Sequence, residues 1–162
     1  AMSQIINSRP DSWLVFIGGG SAEELERLKS ILERHNALDR SKFIRFVPAS
    51  ELAFAYNAAD ICVYPAATSL SCLEAAACGC AVVMSDLPIS RARAEAGVGI
   101  CYRTGDVTDL HDKISRLMDD VKAGKSTGAN ARQAVIAAFS YDLIASRVEA
   151  LFEQAISSKE KS

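Results

Sequence analysis

Two short segments of the 162-residue chain have residue types and spacings that suit the binding of an anionic ligand. The first is the glycine triplet at positions 18–20, which follows an apolar run, and the second lies between Pro65 and Glu74. Glycines between a strand and a helix let the backbone approach a ligand closely and direct amide N–H groups at an anion. Both segments are therefore candidate binding sites.

The glycine triplet is a weak signal when it is taken alone. Gly18 and Gly20 satisfy a Gly-x-Gly spacing, but the third glycine position of the dinucleotide fingerprint holds Glu23. No acidic residue closes a following strand about twenty residues further on, and no Gly-Lys-Ser/Thr sequence follows the triplet as in a phosphate loop. A dehydrogenase is therefore disfavoured, and a tight turn without a ligand stays as an equal alternative.

The segment before Glu74 is the stronger signal. Thr68 and Ser69 stand at the entrance of a predicted helix that contains Leu70 and Glu74. Hydroxyls and free N–H groups at a helix start favour phosphate, assisted by the positive end of the helix dipole. A carboxylate in the apolar stretch around Glu74 is costly unless it is solvated or accepts hydrogen bonds, which the vicinal hydroxyls of a ligand would donate. A surface glutamate or a local cap is an equally open interpretation.

The elements that must position these segments alternate between apolar strands and amphipathic helices. Strands are predicted over residues 13–17, 43–47, 61–64, 81–84 and 99–102. Helices are predicted after caps at Ser21 and Ser50, over 70–78, from Leu110, over about 129–138 and from Ile144. This alternation predicts an α/β fold, with a Rossmann-like parallel sheet covered by helices on both faces. The strand-to-helix loops then share the edge where such sheets bind ligands.

Composition and charge narrow the classes of partner. Eighteen Lys and Arg against twenty Asp and Glu give a net charge of −2, so no basic face predicts a nucleic-acid partner. The hydrophobic share of 49% and the charged share of 23% are typical of a folded domain. No apolar run approaches the roughly 20 residues of a membrane-spanning helix. We expect a soluble domain over residues 12–156, a disordered lead-in or cloning remnant over 1–11 and a frayed tail over 157–162.

The cysteines do not form the pattern of a disulfide framework or a metal site. Their number is odd, no Cys-x-x-Cys pair occurs, and all five lie in apolar contexts: Cys62, Cys72, Cys78, Cys80 and Cys101. The pattern predicts free, buried thiols in a reducing compartment and no bound metal. Since no secretory signal is visible, we expect a cytoplasmic protein.

A longer series of residues joins the two segments into one ordered pattern over nearly all of residues 12–155. It comprises Gly18-Gly19-Gly20, Phe46, Ala59-Asp60, Tyr64-Pro65, the run 68–75, Cys78-Gly79, Ala81-Val82-Val83, Gly105-Asp106, Leu110 and Phe139-Ser140-Tyr141. This series resembles the family 4, or group 1, glycosyltransferases. The resemblance implies a GT-B architecture, in which two Rossmann-like domains face each other across a cleft. The similar part is the C-terminal, donor-binding domain, so an N-terminal acceptor domain is the implied partner.

The resemblance also implies roles for single residues. Glu74 matches the second glutamate of the family's Glu-x7-Glu motif, which holds the ribose hydroxyls of the nucleotide. Thr68, Ser69 and Leu70 match the loop and helix start that meet the donor diphosphate.

Two further pairs carry implied contacts with the donor. Val47 and Pro48 fall where family members contact the nucleotide base, and Gly18 and Gly19 fall in the loop that borders the donor cleft.

The chain departs from the family pattern at two places. Ala66 occupies the position of the motif's first glutamate, and the segment before Glu74 is about three residues shorter than usual. The basic pair that faces the diphosphate lies upstream of the first strand and has no match in residues 1–11. Arg91, Arg93 and Arg103 could substitute for it, although solvated surface arginines are the favoured interpretation.

The implied function is donor binding in a retaining glycosyltransferase. It would transfer a hexose from a nucleotide-diphosphate sugar to a glycan, a lipid or another acceptor, which could be membrane-associated, and it would need no further cofactor. The resemblance identifies no catalytic residue, and the chain alone would be inactive because the acceptor half is absent. The alternative is a degenerate relative that acts as a binding or assembly module, which Ala66 and the shortened loop favour.

Overall fold

Strands and helices alternate along the computed structural model, which describes residues 1–65 and 69–159. The strands in the described residues are β1 (Leu14–Ile17), β2 (Ser41–Ile44), β3 (Ile61–Tyr64), β4 (Ala81–Ser85) and β5 (Ile100–Tyr102). The α-helices there are α1 (Met2–Ser8), α2 (Ala22–Arg34), α3 (Ala49–Ala58), α4 (Ser71–Ala77), α5 (Pro88–Glu95), α6 (Val107–Lys122), α7 (Thr127–Phe139) and α8 (Tyr141–Lys159), and a 3₁₀-helix spans Leu38–Arg40. The predicted α/β fold with parallel strands is confirmed.

The described strands form two parallel sheets instead of one. β1 pairs with β2, and β4 lies between β3 and β5. Helix α1 packs against both sheets, because Ile5 joins the cluster around Val83 whereas Ile6 joins the cluster that includes Leu14. This short helix thus takes part in both halves of the core.

Strand β4 is the centre of the larger sheet, and all five of its residues are buried. Val82 and Met84 pack on the side of α4 and α7, whereas Ala81 and Val83 pack on the side of α1 and α6. An apolar run without polar alternation is typical of a parallel strand covered on both faces. The predicted helices on both faces are therefore confirmed.

The prediction of a disordered lead-in over residues 1–11 is wrong for Met2–Ser8, which forms α1. Ile5 is 1% exposed and Ile6 is 8% exposed, so both isoleucines belong to the core. Arg9 follows the helix and pairs with Asp119 of α6 at 2.8 Å. Met2, Ile5 and Ile6 have helical spacing, but a seven-residue segment is shorter than the window of roughly 11–18 residues over which periodicity indicates a helix.

The prediction of a frayed tail over residues 157–162 is also wrong in part. Helix α8 runs to Lys159, and the Ser157 hydroxyl donates to the Glu153 carbonyl oxygen at 2.9 Å. Positions 160–162 lie outside the described residues. One apolar side of α8 is exposed, including Leu151, Phe152 and Ile156.

Element boundaries near the candidate site differ from the predicted ones. β2 ends at Ile44, three residues earlier than expected, and α3 begins after Pro48 instead of after Ser50. A proline suits this position because its ring fixes φ and it has no backbone N–H to leave unpaired. The cap at Ser21 is confirmed, since its hydroxyl accepts from the Glu24 amide and its own amide donates to the Glu24 carboxylate.

Helix α5 was not predicted, because its buried face is polar. Ser90 is completely buried, and its hydroxyl has no hydrogen-bond partner in the described part of the chain. An unsatisfied buried hydroxyl carries a desolvation cost that a methyl group does not. Ser90→Ala should therefore raise the free energy of unfolding by about 1 kcal/mol, helix propensity included, in urea denaturation.

The control for this prediction is Ser146→Ala in α8, where an exposed hydroxyl donates to the Asp142 carbonyl oxygen. We expect a change within about 0.5 kcal/mol there. A clear loss of stability in Ser90→Ala would mean that the buried hydroxyl has a partner in solution.

Candidate functional site

The predicted site residues follow the carboxyl ends of β1, β2 and β3. The Gly18 loop follows β1, the Val47-Pro48 segment follows β2, and Ser69 and Leu70 precede α4 in the connection from β3. Ligands of parallel sheets bind at such ends, because the strand-to-helix loops gather there. Thr68 and Ala66 lie outside the described residues.

The glycine loop has one residue whose conformation demands glycine. Gly18 adopts φ +139°, a region that side chains rarely enter, and its amide donates to the Ile44 carbonyl oxygen at 3.1 Å. Its N–H is therefore used to hold β1 against β2 and is not directed at a ligand. Gly19 is exposed, and a Cβ placed there would meet no described atom within 4 Å.

Pro48 lies beside this loop at the same end of the smaller sheet. Its carbonyl oxygen accepts from the amides of Glu51 and Leu52 in the first turn of α3, at 2.9 and 3.2 Å. Pro48 is exposed and Val47 is half-buried. These two residues therefore offer backbone and ring surface next to the glycine loop.

Glu74 lies in the first turn of α4 with its side chain exposed. In the described residues the carboxylate of Glu74 makes one hydrogen bond, with the Tyr56 hydroxyl, which is 3.4 Å from Oε2. Burial raises the pKa of Tyr56, so the phenol stays protonated and donates to the carboxylate. This long contact leaves most of the acceptor capacity of Glu74 open to solvent or to a ligand.

Ser69 and Leu70 are both exposed just ahead of α4. The hydroxyls of Ser69 and Ser71 form a short hydrogen bond with each other. The Leu70 carbonyl oxygen accepts from the amides of Leu73 and Glu74, which begins the helix. The structure therefore brings Ser69, Leu70 and Glu74 onto one short stretch of exposed surface.

Sequence reasoning missed the side chains that hold this stretch. The Tyr102 hydroxyl donates to the Pro65 carbonyl oxygen at 2.8 Å, and the Tyr64 hydroxyl donates to the Ser71 carbonyl oxygen at 2.8 Å. Arg93 donates to the Ser69 carbonyl oxygen at 2.9 Å. The sequence series includes Tyr64 but does not indicate its contact, and the partners of Tyr102 and Arg93 lie 37 and 24 positions away along the chain.

The three arginines considered as substitute cations differ in their surroundings. Arg93 is 4% exposed, so the interpretation as a solvated surface residue is wrong for it. Arg91 pairs with Asp86, and hydrogen bonding from that guanidinium holds the pKa of Asp86 below its usual range. Arg103 pairs with Asp106 at 2.9 Å.

The cysteines are free thiols, as the sequence predicted, but the predicted burial is wrong for Cys62, Cys78 and Cys101, which are half-buried. Cys72 and Cys80 are buried, and burial raises the pKa of Cys72. Within the described residues no group of three or more Cys, His, Asp or Glu side chains is arranged to hold a metal ion. In the same part of the chain, no helix combines the length and apolarity needed to cross a membrane.

Comparison with known protein families shows which family this chain belongs to. A family model described as glycosyl transferases group 1 matches residues 1–134. The chain belongs to the group 1 glycosyltransferases. The resemblance inferred from the sequence is confirmed, and the match includes α1 and every described strand.

Two curated relatives of this group 1 domain come from corynebacteria. A GDP-mannose-dependent monoacylated alpha-(1-6)-phosphatidylinositol monomannoside mannosyltransferase of Corynebacterium glutamicum is 30% identical over 161 residues, which cover 91% of this chain and 40% of the relative. A D-inositol 3-phosphate glycosyltransferase of Corynebacterium jeikeium is 31% identical in an alignment 170 residues long, gaps included. This alignment covers 95% of this chain and 39% of the relative. The chain thus spans about two-fifths of the length of these curated relatives.

Solved structures share the fold of this group 1 domain. Sucrose-phosphate synthase from Thermosynechococcus elongatus superposes with a TM-score of 0.82 at 25% identity, over 96% of this chain and 41% of the other. Anabaena Alr3699/HepE in complex with UDP superposes with a TM-score of 0.78 at 18% identity, over 94% of this chain and 44% of the other. The fold is one half of a GT-B architecture.

Proposed function

We propose that this chain is the donor-binding part of a retaining glycosyltransferase that moves a hexose from a nucleotide-diphosphate sugar to an acceptor. The observation that carries the proposal is Glu74, an exposed carboxylate that follows the carboxyl end of β3 and makes one long side-chain hydrogen bond within the described residues. A carboxylate with open acceptor sites suits the two vicinal hydroxyls of a ribose. Membership of the group 1 family supports the assignment to glycosyl transfer.

In this proposal, different residues of the site bind different parts of the donor. Glu74 accepts hydrogen bonds from the ribose, while Ser69 and the backbone beside Leu70 face the diphosphate. Val47 and Pro48, which follow β2, meet the base, and the exposed loop around Gly19 borders the cleft. Thr68 belongs with Ser69 in this assignment on sequence grounds.

Retaining transfer needs few protein residues for acid–base catalysis in such a domain. The donor phosphate takes the proton of the acceptor hydroxyl, and polar groups of the protein stabilise the charge on the departing diphosphate. The nucleotide sugar is the substrate, and we propose no resident cofactor or metal. The chemical contribution of this chain is to bind and orient the donor.

The names of related proteins support a nucleotide sugar and suggest an acceptor. The Corynebacterium glutamicum relative is a GDP-mannose-dependent mannosyltransferase of a phosphatidylinositol mannoside, and Anabaena Alr3699/HepE has been solved with UDP and with UDP-glucose. We propose a hexose donor and an acceptor of the glycan or lipid class. A lipid acceptor would place the complete protein in the cytoplasm at the inner membrane face.

The acceptor half belongs to a second domain in this proposal. The curated relatives are about two and a half times as long as the matched part, which leaves room for such a domain. The exposed apolar side of α8, with Leu151, Phe152 and Ile156, is a surface that it could cover. The chain alone should then bind a donor without turning it over.

Calorimetry of this chain with GDP, UDP and ADP, and with their hexose conjugates, tests the proposal. We expect one nucleoside diphosphate to bind with a Kd below about 1 mM, an affinity of roughly 4 kcal/mol. No hydrolysis or transfer should accompany binding, and NADH should not bind. Absence of binding by all three nucleotides at millimolar concentration would contradict donor binding.

A second candidate function is a binding or assembly module that retains the fold without the reaction. The observation that favours it is Ala66, which stands where the family motif has its first glutamate. That glutamate lies beside the donor sugar in the family. The module is the preferred interpretation if the chain binds no nucleotide in the same titrations.

A further inference from the structure

The connection from β3 to α4 is held at both ends by side chains from later elements. Tyr102, the last residue of β5, donates its hydroxyl hydrogen to the Pro65 carbonyl oxygen at 2.8 Å. Arg93 of α5 donates from its guanidinium to the Ser69 carbonyl oxygen at 2.9 Å. These partners lie 37 and 24 positions apart in the sequence, so folding alone brings them together.

Both side chains are buried, so their polar atoms destabilise the fold unless they make hydrogen bonds. Tyr102 is 5% exposed and Arg93 is 4% exposed. A buried hydroxyl or guanidinium costs free energy unless it is hydrogen-bonded, and an apolar side chain would fill the same space without that cost. The two side chains therefore fill space in the core and also hold the carbonyl oxygens to which they donate hydrogen bonds.

Arg93 reaches beyond the connection into α4. Its guanidinium also lies 3.1 Å from the sulfur of Cys72, the second residue of that helix. A guanidinium is planar and directs its N–H groups along fixed lines, so two contacts fix an orientation as well as a distance. Arg93 thus sets the position of Ser69 relative to the first turn of α4.

The same turn carries the exposed carboxylate of the donor site. Glu74 lies two residues after Cys72, and its backbone amide donates to the Leu70 carbonyl oxygen at 3.2 Å. A shift of Ser69 or of the start of α4 would therefore move Glu74 as well. Binding constellations lose affinity when their groups are displaced by fractions of an ångström or must be ordered on binding.

We propose that Tyr102 and Arg93 are positioning residues of the donor site. They fix Pro65 and Ser69, so that Ser69 and Glu74 stand in place before the nucleotide sugar arrives. This inference rests on the proposed function, because it assigns these residues a role in donor affinity. Neither residue touches the donor; both act through the backbone that they hold.

The test compares nucleotide affinity in variants that remove these hydrogen bonds. The probe is whichever of GDP, UDP and ADP binds the unaltered chain most tightly, titrated by calorimetry well below the melting temperature. Tyr102→Phe should weaken binding about fivefold, the effect of one lost hydrogen bond, and Arg93→Met about tenfold or more. Arg93→Lys keeps the charge and an N–H donor group but loses the planar guanidinium geometry, so it should bind more tightly than Arg93→Met and less tightly than the unaltered chain.

Matched controls separate positioning from a general loss of stability. Tyr141→Phe changes a tyrosine that is 92% exposed, and Arg132→Met changes an exposed arginine of α7; neither should alter the Kd. Amide hydrogen exchange of Leu73 and Glu74 without ligand should quicken in Tyr102→Phe and Arg93→Met. A purely structural role would lower the melting temperature and leave the Kd at the assay temperature unchanged.

The outcomes distinguish this inference from the proposed function. If the unaltered chain binds a nucleotide and both Tyr102→Phe and Arg93→Met bind it equally well, the positioning role is overturned and donor binding stands. If the unaltered chain binds none of the three nucleotides, the proposed function fails and the positioning role falls with it. Should Arg93→Met fail to fold, Tyr102→Phe and Arg93→Lys decide the question.

Discussion

Glu74→Ala should weaken binding of the nucleoside diphosphate more than a hundredfold. A carboxylate that accepts from two ribose hydroxyls makes two charge-assisted hydrogen bonds, each contributing about 1.5 kcal/mol or more. Losing both corresponds to about 3 kcal/mol, and each 1.4 kcal/mol is a factor of ten in Kd. Because the side chain is exposed and makes a single long hydrogen bond in the part of the chain that the structure describes, the fold should keep its stability. Calorimetry measures the first effect and thermal unfolding the second.

Glu33→Ala is the matched control, since Glu33 is an exposed glutamate of α2. It removes the same charge from the chain and should leave the Kd within a factor of two or so, because distant surface charges are screened. Glu74→Gln keeps the shape and removes the charge, so its Kd should fall between those of the unaltered chain and Glu74→Ala. Equal affinities for Glu74→Ala and the unaltered chain would remove Glu74 from the donor site.

Much of the fold follows from local sequence pattern. β3 occupies the predicted residues 61–64, and β4 begins at the predicted Ala81, because continuous apolar runs there serve strands covered on both faces. The cap of α2 is equally local, since Ser21 and Glu24 satisfy each other's backbone amides. Such elements need no information from distant residues.

The elements that the sequence did not reveal are those whose pattern depends on tertiary packing. Helix α1 has two adjacent isoleucines, which matter because one packs on each sheet. Helix α5 buries Ser90 and Arg93, so an apolar period is absent from it. The division of the strands into two sheets is likewise a property of long-range pairing, which no local window contains.

The candidate site shows the same division between local and long-range information. The helix start near Ser69 and the place of Glu74 were predictable, because a resemblance to a family preserves order and spacing. The hydrogen bonds of Tyr102 and Arg93 were not, since each joins a loop to an element that folds against it from later in the chain. For Arg93 the local context of neighbouring arginines even favoured a solvated residue.

Gly128→Ala should lower the free energy of unfolding by about 3 kcal/mol, a loss typical of overpacking against backbone. Gly128 is the second residue of α7, and a Cβ there would overlap the carbonyl oxygen of Gly79, which follows α4. α7 must then retreat from α4, although Ala75, Ala131 and Val135 pack there in the main core cluster. Urea denaturation measures the change.

The sign of the effect makes this prediction decisive. Alanine is a better helix former than glycine by up to about 1 kcal/mol, so helix propensity alone predicts that Gly128→Ala stabilises the chain. Gly19→Ala is the matched control for stability: among the described residues no atom lies within 4 Å of a Cβ there, so the change should stay within about 1 kcal/mol. A stability of Gly128→Ala equal to or above that of the unaltered chain would show that α7 does not approach the end of α4 this closely in solution. The expected loss would instead establish the close contact between the two helices that keeps α4, and Glu74 with it, against the central strand.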